Sequence, residues 1–153
     1  MNKKEFDLKR FKFYVTEVVK FHEVDRMDVC NNAVYFNYFE DARLEYSKMI
    51  VEKYNLGKHF DDFPFFIMAH NEIDYFTPAR LDDELRIYTR VNFIGNASFG
   101  FEHIVLRTRD NEIIAHGKGV VVHIDTETQR PEKMPNEVVE AIKDFEGEAI
   151  ETK

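Results

Sequence analysis

The sequence has no tryptophan, a lone cysteine among its 153 residues, and no apolar run as long as a membrane span or the hydrophobic part of a signal peptide. Cys30 has no second cysteine with which to form an internal disulfide. These absences predict a cytoplasmic protein without membrane insertion.

Two further classes of function lack support in the composition. The sequence contains no CxxC or HExxH pair of the kind that holds zinc, and its histidines are scattered, so no metal site is predicted. The formal net charge is -8, whereas binding of nucleic acid needs a basic face. Nucleic acid is therefore not expected as a partner, although a local basic patch for one small anion is compatible with this charge.

Aromatic residues are abundant, with fifteen Phe and seven Tyr in a chain that is 44% hydrophobic. This content suits one domain over residues 1–153. It exceeds what the interior of a small monomer needs, so some aromatic side chains are expected to face a ligand or a partner subunit. The charged ends, 1–8 and 146–153, have little to bury and are expected to be frayed.

The hydrophobic pattern predicts one long helix, because apolar residues recur every three or four positions from 32 to 54. A strand-like run precedes this helix and four follow it, with a short amphipathic helix at the end. In chain order these segments are 11–24, 65–76, 84–93, 98–107, 112–124 and 136–145. Short turns make the last three strands an antiparallel meander. The wide apolar stripe of the helix can be buried only if the sheet curls around it, so the fold class is α+β, with about five antiparallel strands around one central helix.

The loop before the long helix carries the most informative residues. Asn31 or Asn32 suits the N-cap of the helix, which leaves free backbone amides at the first turn that can hold an oxyanion. Asp25 lies six residues before Asn31, close enough to approach a carbonyl carbon whose oxygen rests on those amides. The arrangement suits acyl transfer, but an ordinary cap and a solvated loop acid would show the same residues.

The run from 25 to 43 reads Asp25-x5-Asn31-Asn32-Ala33-Val34-Tyr35-x4-Glu40-x-Ala42-Arg43. It resembles the signature of the hotdog-fold acyl-CoA thioesterases of the 4-hydroxybenzoyl-CoA thioesterase branch. The run Glu72-Ile73-Asp74-Tyr75-x2-Pro78-x3-Asp82-Asp83-x-Leu85 and the segment 120–135 are similar to further parts of that family. The resemblance covers about residues 13–140. It implies a hotdog domain that works as a homodimer or homotetramer, with sheets paired edge to edge and active sites at the dimer interface.

The resemblance also implies roles for individual residues. Asp25 falls on the catalytic carboxylate, as nucleophile or general base, the amide of Asn32 falls on the oxyanion donor, and Asn31 shapes the same pocket. The substrate would be a thioester of coenzyme A or acyl carrier protein, with no separate cofactor. The remaining candidates are Tyr35, Phe76, Ser98 and Phe99 for the acyl group, and Arg80, Arg90 and Lys118 for coenzyme A.

Several residues depart from the family pattern or admit another interpretation. Asp28 stands where the family usually has glycine, and aspartate tolerates the left-handed backbone of such a turn. Glu40 and Arg43 are spaced to form an ion pair on the helix. Cys30 lies in the same loop, but no histidine is spaced to activate it, so a packing role is predicted. Two alternatives to a hydrolase are a catalytically weak hotdog protein that binds acyl-CoA or acyl carrier, and a hotdog dehydratase, for which His22 is the only histidine nearby.

Overall fold

A computed structural model describes residues 5–57, 65–147 and 150–152. Short 3-10 helices span Leu8–Arg10 and Phe21–Glu23. The other elements, in chain order, are β1 (Tyr14–Val18), α1 (Val34–Lys53), β2 (Phe65–Tyr75), β3 (Glu84–Ile94), β4 (Ser98–Arg107), β5 (Glu112–Ile124), α2 (Asn136–Glu146) and β6 (Glu151–Thr152). This order confirms the predicted α+β hotdog layout of a long helix, an antiparallel sheet and a short second helix.

The sheet has the strand order β1-β3-β4-β5-β2, and the two-residue β6 adds to β3 in parallel. Strands β3, β4 and β5 pair antiparallel with their neighbours, which confirms the predicted meander. Strand β2 returns to pair with β5, and β1 pairs with β3, so these two strands flank the meander.

Helix α1 lies against the inner face of this sheet. Its buried residues recur every three or four positions: Tyr35, Tyr38, Phe39, Ala42, Tyr46 and Ile50. The helix and sheet approach so closely that a Cβ atom added at Gly117 of β5 would lie 2.3 Å from a carbon of the Phe39 ring. Glycine is therefore required at this position, and the core is organised around the helix.

The first strand is shorter than the sequence predicts. It ends at Val18, and the β-branched and aromatic run from 19 to 24 continues as a turn and a 3-10 helix. The Glu23 carboxylate accepts a hydrogen bond from the backbone N–H of Lys20 at 2.9 Å and so stabilises this turn. This local side-chain contact outweighs the strand propensity of the segment.

The end of α2 is anchored in the core by Glu146, which is 2% exposed. Its Oε2 accepts hydrogen bonds from the Tyr46 hydroxyl at 2.6 Å and from the Val91 N–H at 2.9 Å. The ammonium group of Lys12 donates to the carbonyl of Phe145 at 2.9 Å. Residue 146 is therefore packed in the core, and the expectation that the chain is frayed from this residue onward is wrong at this position. Of the two ends expected to be frayed, 1–4, 148–149 and 153 lie outside the described residues.

The opposite face of the sheet carries a charge cluster beneath the N-terminal segment. Glu102 lies between Arg90 Nε, at 2.7 Å, and His116 Nε2, at 2.8 Å. Phe11 lies 5.5 Å from the Arg90 guanidinium, and Phe6 packs on the His116 ring with centroids 4.6 Å apart. Burial alone would raise the pKa of Glu102, but hydrogen bonds and charge from His116 and Arg90 outweigh it and lower this pKa to about 2.

Candidate active site

The loop before α1 is closed by backbone hydrogen bonds. Val24 and Cys30 form an antiparallel bridge, the Asp25 N–H donates to the carbonyl of Val29 at 2.9 Å, and the Asn31 N–H donates to that of Glu23 at 2.8 Å. These bonds fold residues 24–30 into a short hairpin. Asp25 and the start of the helix therefore lie on the two sides of one narrow loop.

The tip of this hairpin is a tight turn in which Asp28 has φ +62°. The Asp28 N–H donates to the Asp25 carbonyl at 3.1 Å. This confirms that aspartate supplies the left-handed residue where the family usually has glycine. Asp25 itself is half-buried, and its Oδ1 accepts a hydrogen bond from the Met27 N–H at 2.8 Å. The second carboxylate oxygen makes no hydrogen bond to a described residue.

The helix start differs from the predicted cap. Neither asparagine occupies the N-cap position, which is held by Ala33. Instead, Asn31 Oδ1 accepts the N–H of Ala33 at 3.0 Å and the Asn31 carbonyl accepts that of Val34 at 2.9 Å. The N–H of Asn32 has no acceptor among the described residues, so this amide is available to an incoming carbonyl oxygen.

Several contacts hold the loop against the turn that follows β2. The Cys30 N–H donates to the carbonyl of Ala79 at 2.8 Å, and the Ala79 N–H donates to the Tyr35 hydroxyl at 3.4 Å. Tyr35, predicted to line the acyl site, is only 2% exposed and supports the loop from within the core. Arg80 is exposed, and its Nη1 donates to the Asp28 carbonyl at 3.3 Å.

Tyr75 of β2 also contacts the helix start, and the sequence indicated no role for it. Its hydroxyl donates a hydrogen bond to the Asn32 carbonyl at 2.7 Å. Its position inside the second segment that resembles the family was the one sequence feature that could have indicated a role. Hydrophobic patterning only assigns a strand tyrosine to the core or to the surface.

Cys30 of the loop and His22 just before it carry the other potentially reactive side chains. Cys30 is 5% exposed, and burial raises the pKa of its thiol to about 11. A thiol held protonated at neutral pH suits packing, as predicted, and not nucleophilic attack. His22 is exposed and forms no hydrogen bond with the part of the chain that the structure describes.

Four predicted ligand-binding residues lie away from this loop. Phe76 contacts Phe6. Ser98 lies at the far end of β4, since the end of that strand nearer the site is Arg107, which pairs with Leu85. Lys118 is exposed, and in register it lies between Glu72 and Glu102 on the face away from α1. Arg90 is 4% exposed and paired with Glu102, so a phosphate could reach its guanidinium only by displacing that partner.

Phe99, the remaining predicted acyl contact, lines a cavity of about 450 Å³ between α1, α2 and the sheet. Most of the lining is apolar and includes Leu44, Met68, Phe99, Phe101, Val121 and Val138. Glu40 and Arg43 line it as well. They do not form the predicted ion pair, and Arg43 Nη1 is buried without a hydrogen-bond partner among the described residues.

Residues 5–57, 65–147 and 150–152 contain neither a cluster of metal ligands nor a membrane-spanning helix. No group of three or more His, Cys, Asp or Glu side chains in these ranges could hold a metal ion. Within the same ranges, no helix is both long and apolar enough to cross a bilayer.

Comparisons with known proteins relate this chain to thioesterases. The chain is 28% identical over 138 residues to the acyl-acyl carrier protein thioesterase ATL3 of Arabidopsis thaliana, covering 87% of this chain and 71% of that protein. It is 24% identical over 125 residues to the acyl-CoA thioester hydrolase YbgC of Escherichia coli, covering 82% and 91%. A Thermus thermophilus thioesterase, solved in complex with coenzyme A and zinc, is 31% identical, with a TM-score of 0.77 over 91% of this chain and 98% of that one.

The model of the thioesterase-like superfamily matches residues 19–142, which include the hairpin loop, α1 and all of strands β2 to β5. The chain therefore belongs to the thioesterase-like superfamily and is a thioester hydrolase of the hotdog fold.

Proposed function

We propose that this chain works in the cytoplasm and hydrolyses acyl thioesters in which the acyl group is attached to the pantetheine thiol of coenzyme A or of an acyl carrier protein. Asp25 is the nucleophile or general base, and the Asn32 N–H is the oxyanion donor. The observation that carries the proposal is one hairpin loop that joins a carboxylate, with one oxygen held by the Met27 N–H, to a helix-start amide without an acceptor among the described residues.

In the reaction, the thioester carbonyl oxygen accepts a hydrogen bond from the Asn32 N–H, which is strengthened by the positive end of the α1 dipole. Asp25 then either attacks the carbonyl carbon to form an acyl anhydride, which water hydrolyses, or removes a proton from the water that attacks. In both routes the C–S bond breaks, the thiolate leaves and takes up a proton, and the acyl group departs as a carboxylic acid. Coenzyme A takes part only as a portion of the substrate.

Arg80 is placed to attract the phosphate groups of the carrier. Its guanidinium is exposed and lies beside the hairpin through its contact with the Asp28 carbonyl. Arginine suits phosphate because its planar donors match the phosphate oxygens. Of the three basic residues predicted for coenzyme A, it is the one with a contact to the hairpin loop.

The cavity beside α1 suits the acyl chain. Eight residues separate Asn32 from Glu40 at its nearer end, which is about 12 Å along a helix. Because an extended alkyl chain zigzags, it advances about 1.3 Å per carbon–carbon bond, so an acyl group on the order of ten carbons reaches this apolar space. A two-carbon acyl group ends before reaching it.

The chain should therefore release thiol faster from acyl-CoAs of about ten carbons than from acetyl-CoA, by at least about tenfold in kcat/KM, because burial contributes about 0.8 kcal/mol per methylene. The measurement is a thiol-release assay over short, long and aromatic acyl-CoAs, with an acylated carrier protein as a separate arm. Val121→Phe, which fills the cavity, should remove the preference for long chains and leave short ones unaffected.

Val122→Phe is the matched control, since this half-buried neighbour points to the opposite face of β5. Equal rates for acetyl and decanoyl substrates, or equal effects of the two variants, would show that the acyl chain does not occupy this cavity. Thiol release from the acylated carrier protein alone would assign the carrier.

We also propose that the chain is a homodimer, or a tetramer of such dimers, joined through the β2 edge. This strand is eleven residues long, and among the described strands it pairs with β5 alone. Its Ile67 and Met68 are 44% and 39% exposed. A long edge with exposed apolar side chains is a template for pairing with a second copy.

Sedimentation at micromolar concentration should give at least twice the chain mass of 18.2 kDa. Ile67→Lys should shift the protein toward monomer, because it places a charge on the paired edge. Thr16→Lys, on the opposite edge strand β1, should leave the mass unchanged. A monomeric wild type, or dissociation by Thr16→Lys alone, would contradict pairing through β2.

A further inference from the structure

Tyr75 connects the end of β2 to the first residues of the helix start. Its hydroxyl donates to the Asn32 carbonyl at 2.7 Å, across 43 residues of sequence. Its ring packs edge-on against that of Tyr35, with centroids 5.5 Å apart. The hydroxyl is thus held by ring packing and the hydrogen bond, and 36% of the residue is exposed.

The direction of the Asn32 N–H follows from the turn that contains it. The Asn31 carbonyl points into the helix, where it accepts the N–H of Val34. In a trans peptide the carbonyl and the following N–H point in opposite directions. The Asn32 N–H, which belongs to that same peptide, therefore points out of the helix start toward the hairpin loop.

The next peptide is the one that Tyr75 holds. Its N–H, from Ala33, donates to Asn31 Oδ1, and its carbonyl, from Asn32, accepts the Tyr75 hydroxyl. Phe36 is the residue whose N–H would take the Asn32 carbonyl in a regular helix, but this N–H donates to the carbonyl of Ala33 at 3.2 Å. Tyr75 thus keeps the Asn32 carbonyl out of the helical ladder.

The Tyr75 hydroxyl is a donor over the neutral pH range. Burial, with a further contribution from the nearby Cys30 thiol, raises the pKa of this phenol above its usual value. The hydrogen bond to the Asn32 carbonyl therefore persists across the neutral pH range.

We infer that Tyr75 is a positioning residue for the oxyanion amide: by holding the Asn32 carbonyl, its hydroxyl keeps helix α1 from extending backward by one residue and keeps the Asn32 N–H aimed at the substrate. The inference rests on the proposed function of Asn32. Tyr75 acts through the backbone and does not touch the reacting atoms.

Tyr75→Phe removes the hydroxyl and keeps the ring on Tyr35. With the best substrate of the acyl-CoA panel, kcat should fall about tenfold, because a small misplacement of an oxyanion donor costs that much or more. KM should change by less than about twofold and Tm by less than about 2 °C, since one partly exposed hydrogen bond is lost. Tyr54→Phe is the matched control: its hydroxyl also donates at 2.7 Å, to Asp144, and it lies at the far end of α1.

A second readout is independent of catalysis. In ¹⁵N–¹H spectra, Tyr75→Phe should shift the amide resonances of Asn32, Ala33 and Phe36, and Tyr54→Phe should leave them in place. Unchanged resonances, or a kcat equal to that of the wild type, would overturn the inference. A joint loss of kcat, substrate affinity and Tm would also overturn the inference, because it would mean that the variant destabilises the whole fold. If the wild type releases no thiol from any substrate, the proposed function fails, and the amide shifts alone decide whether Tyr75 positions this turn.

Discussion

Replacement of Asp25 by asparagine is expected to lower kcat for thioester hydrolysis by about a hundredfold or more, as the loss of a general base or nucleophile requires. Asparagine keeps an oxygen that can accept the N–H of Met27, so the hairpin loop keeps its shape. The charge and the reactive oxygen are removed, while the fold and the free Asn32 amide remain. The measurement is thiol release under substrate saturation, together with Tm.

Asp28→Asn is the matched control for this variant. It removes a carboxylate three residues away in the same loop, and asparagine also tolerates the left-handed backbone found there, φ +62°. Its kcat should stay within about threefold of the wild type, since Asp28 has no role in the proposed chemistry. If Asp25→Asn retained full activity, or if the two variants lost activity equally, Asp25 would not be the catalytic carboxylate.

Glu102→Gln is expected to lower the free energy of unfolding by about 3 kcal/mol, because it removes one partner of a buried charge cluster. Arg90 is 4% exposed and would lose the carboxylate that lies 2.7 Å from its Nε. Thermal or urea unfolding measures the loss. The control is Glu72→Gln, on the same face of the sheet, whose side chain is 57% exposed and should contribute less than about 0.5 kcal/mol.

The contribution of Glu102 should also depend on pH in a defined direction. Its pKa is about 2 in the folded protein against an ordinary value of 4.5. The unfolded chain therefore binds this proton first as the pH falls, and the stabilisation, complete above 4.5, declines toward 2. The difference in stability between wild type and Glu102→Gln should shrink over that interval. A difference that is constant from pH 6 to pH 2 would contradict the assigned role of this carboxylate.

Most of the fold could be predicted from the sequence because its signals are local. The helix follows from apolar spacing, and the four later strands are bounded by turn residues, so each element could be recognised within its own segment. The first strand was overextended because the contact of Glu23 with the Lys20 N–H competes with strand propensity. The burial of Glu146 depends on Tyr46, one hundred residues away, and no local pattern indicates it.

The candidate site divides in the same way. Asp25, Asn31 and Asn32 are close in sequence, so their loop could be identified before the fold was known. The positions of Arg90 and Phe76 depend on which face of a strand each side chain takes and on the N-terminal segment that covers one of those faces. Tyr75 could not be assigned for a related reason, since its hydrogen bond joins two segments that only the sheet brings together.

The Glu146 carboxylate sets a time order on biosynthesis. A nascent chain that has not yet delivered residue 146 from the ribosome has the Tyr46 hydroxyl and the Val91 N–H without the acceptor that they share in the finished protein. Strands β1 to β5 precede this residue, but α1 and β3 lack their common polar anchor until it emerges. The strands made earlier can therefore pair first, and the last polar contacts of the core close only after α2 has been synthesised.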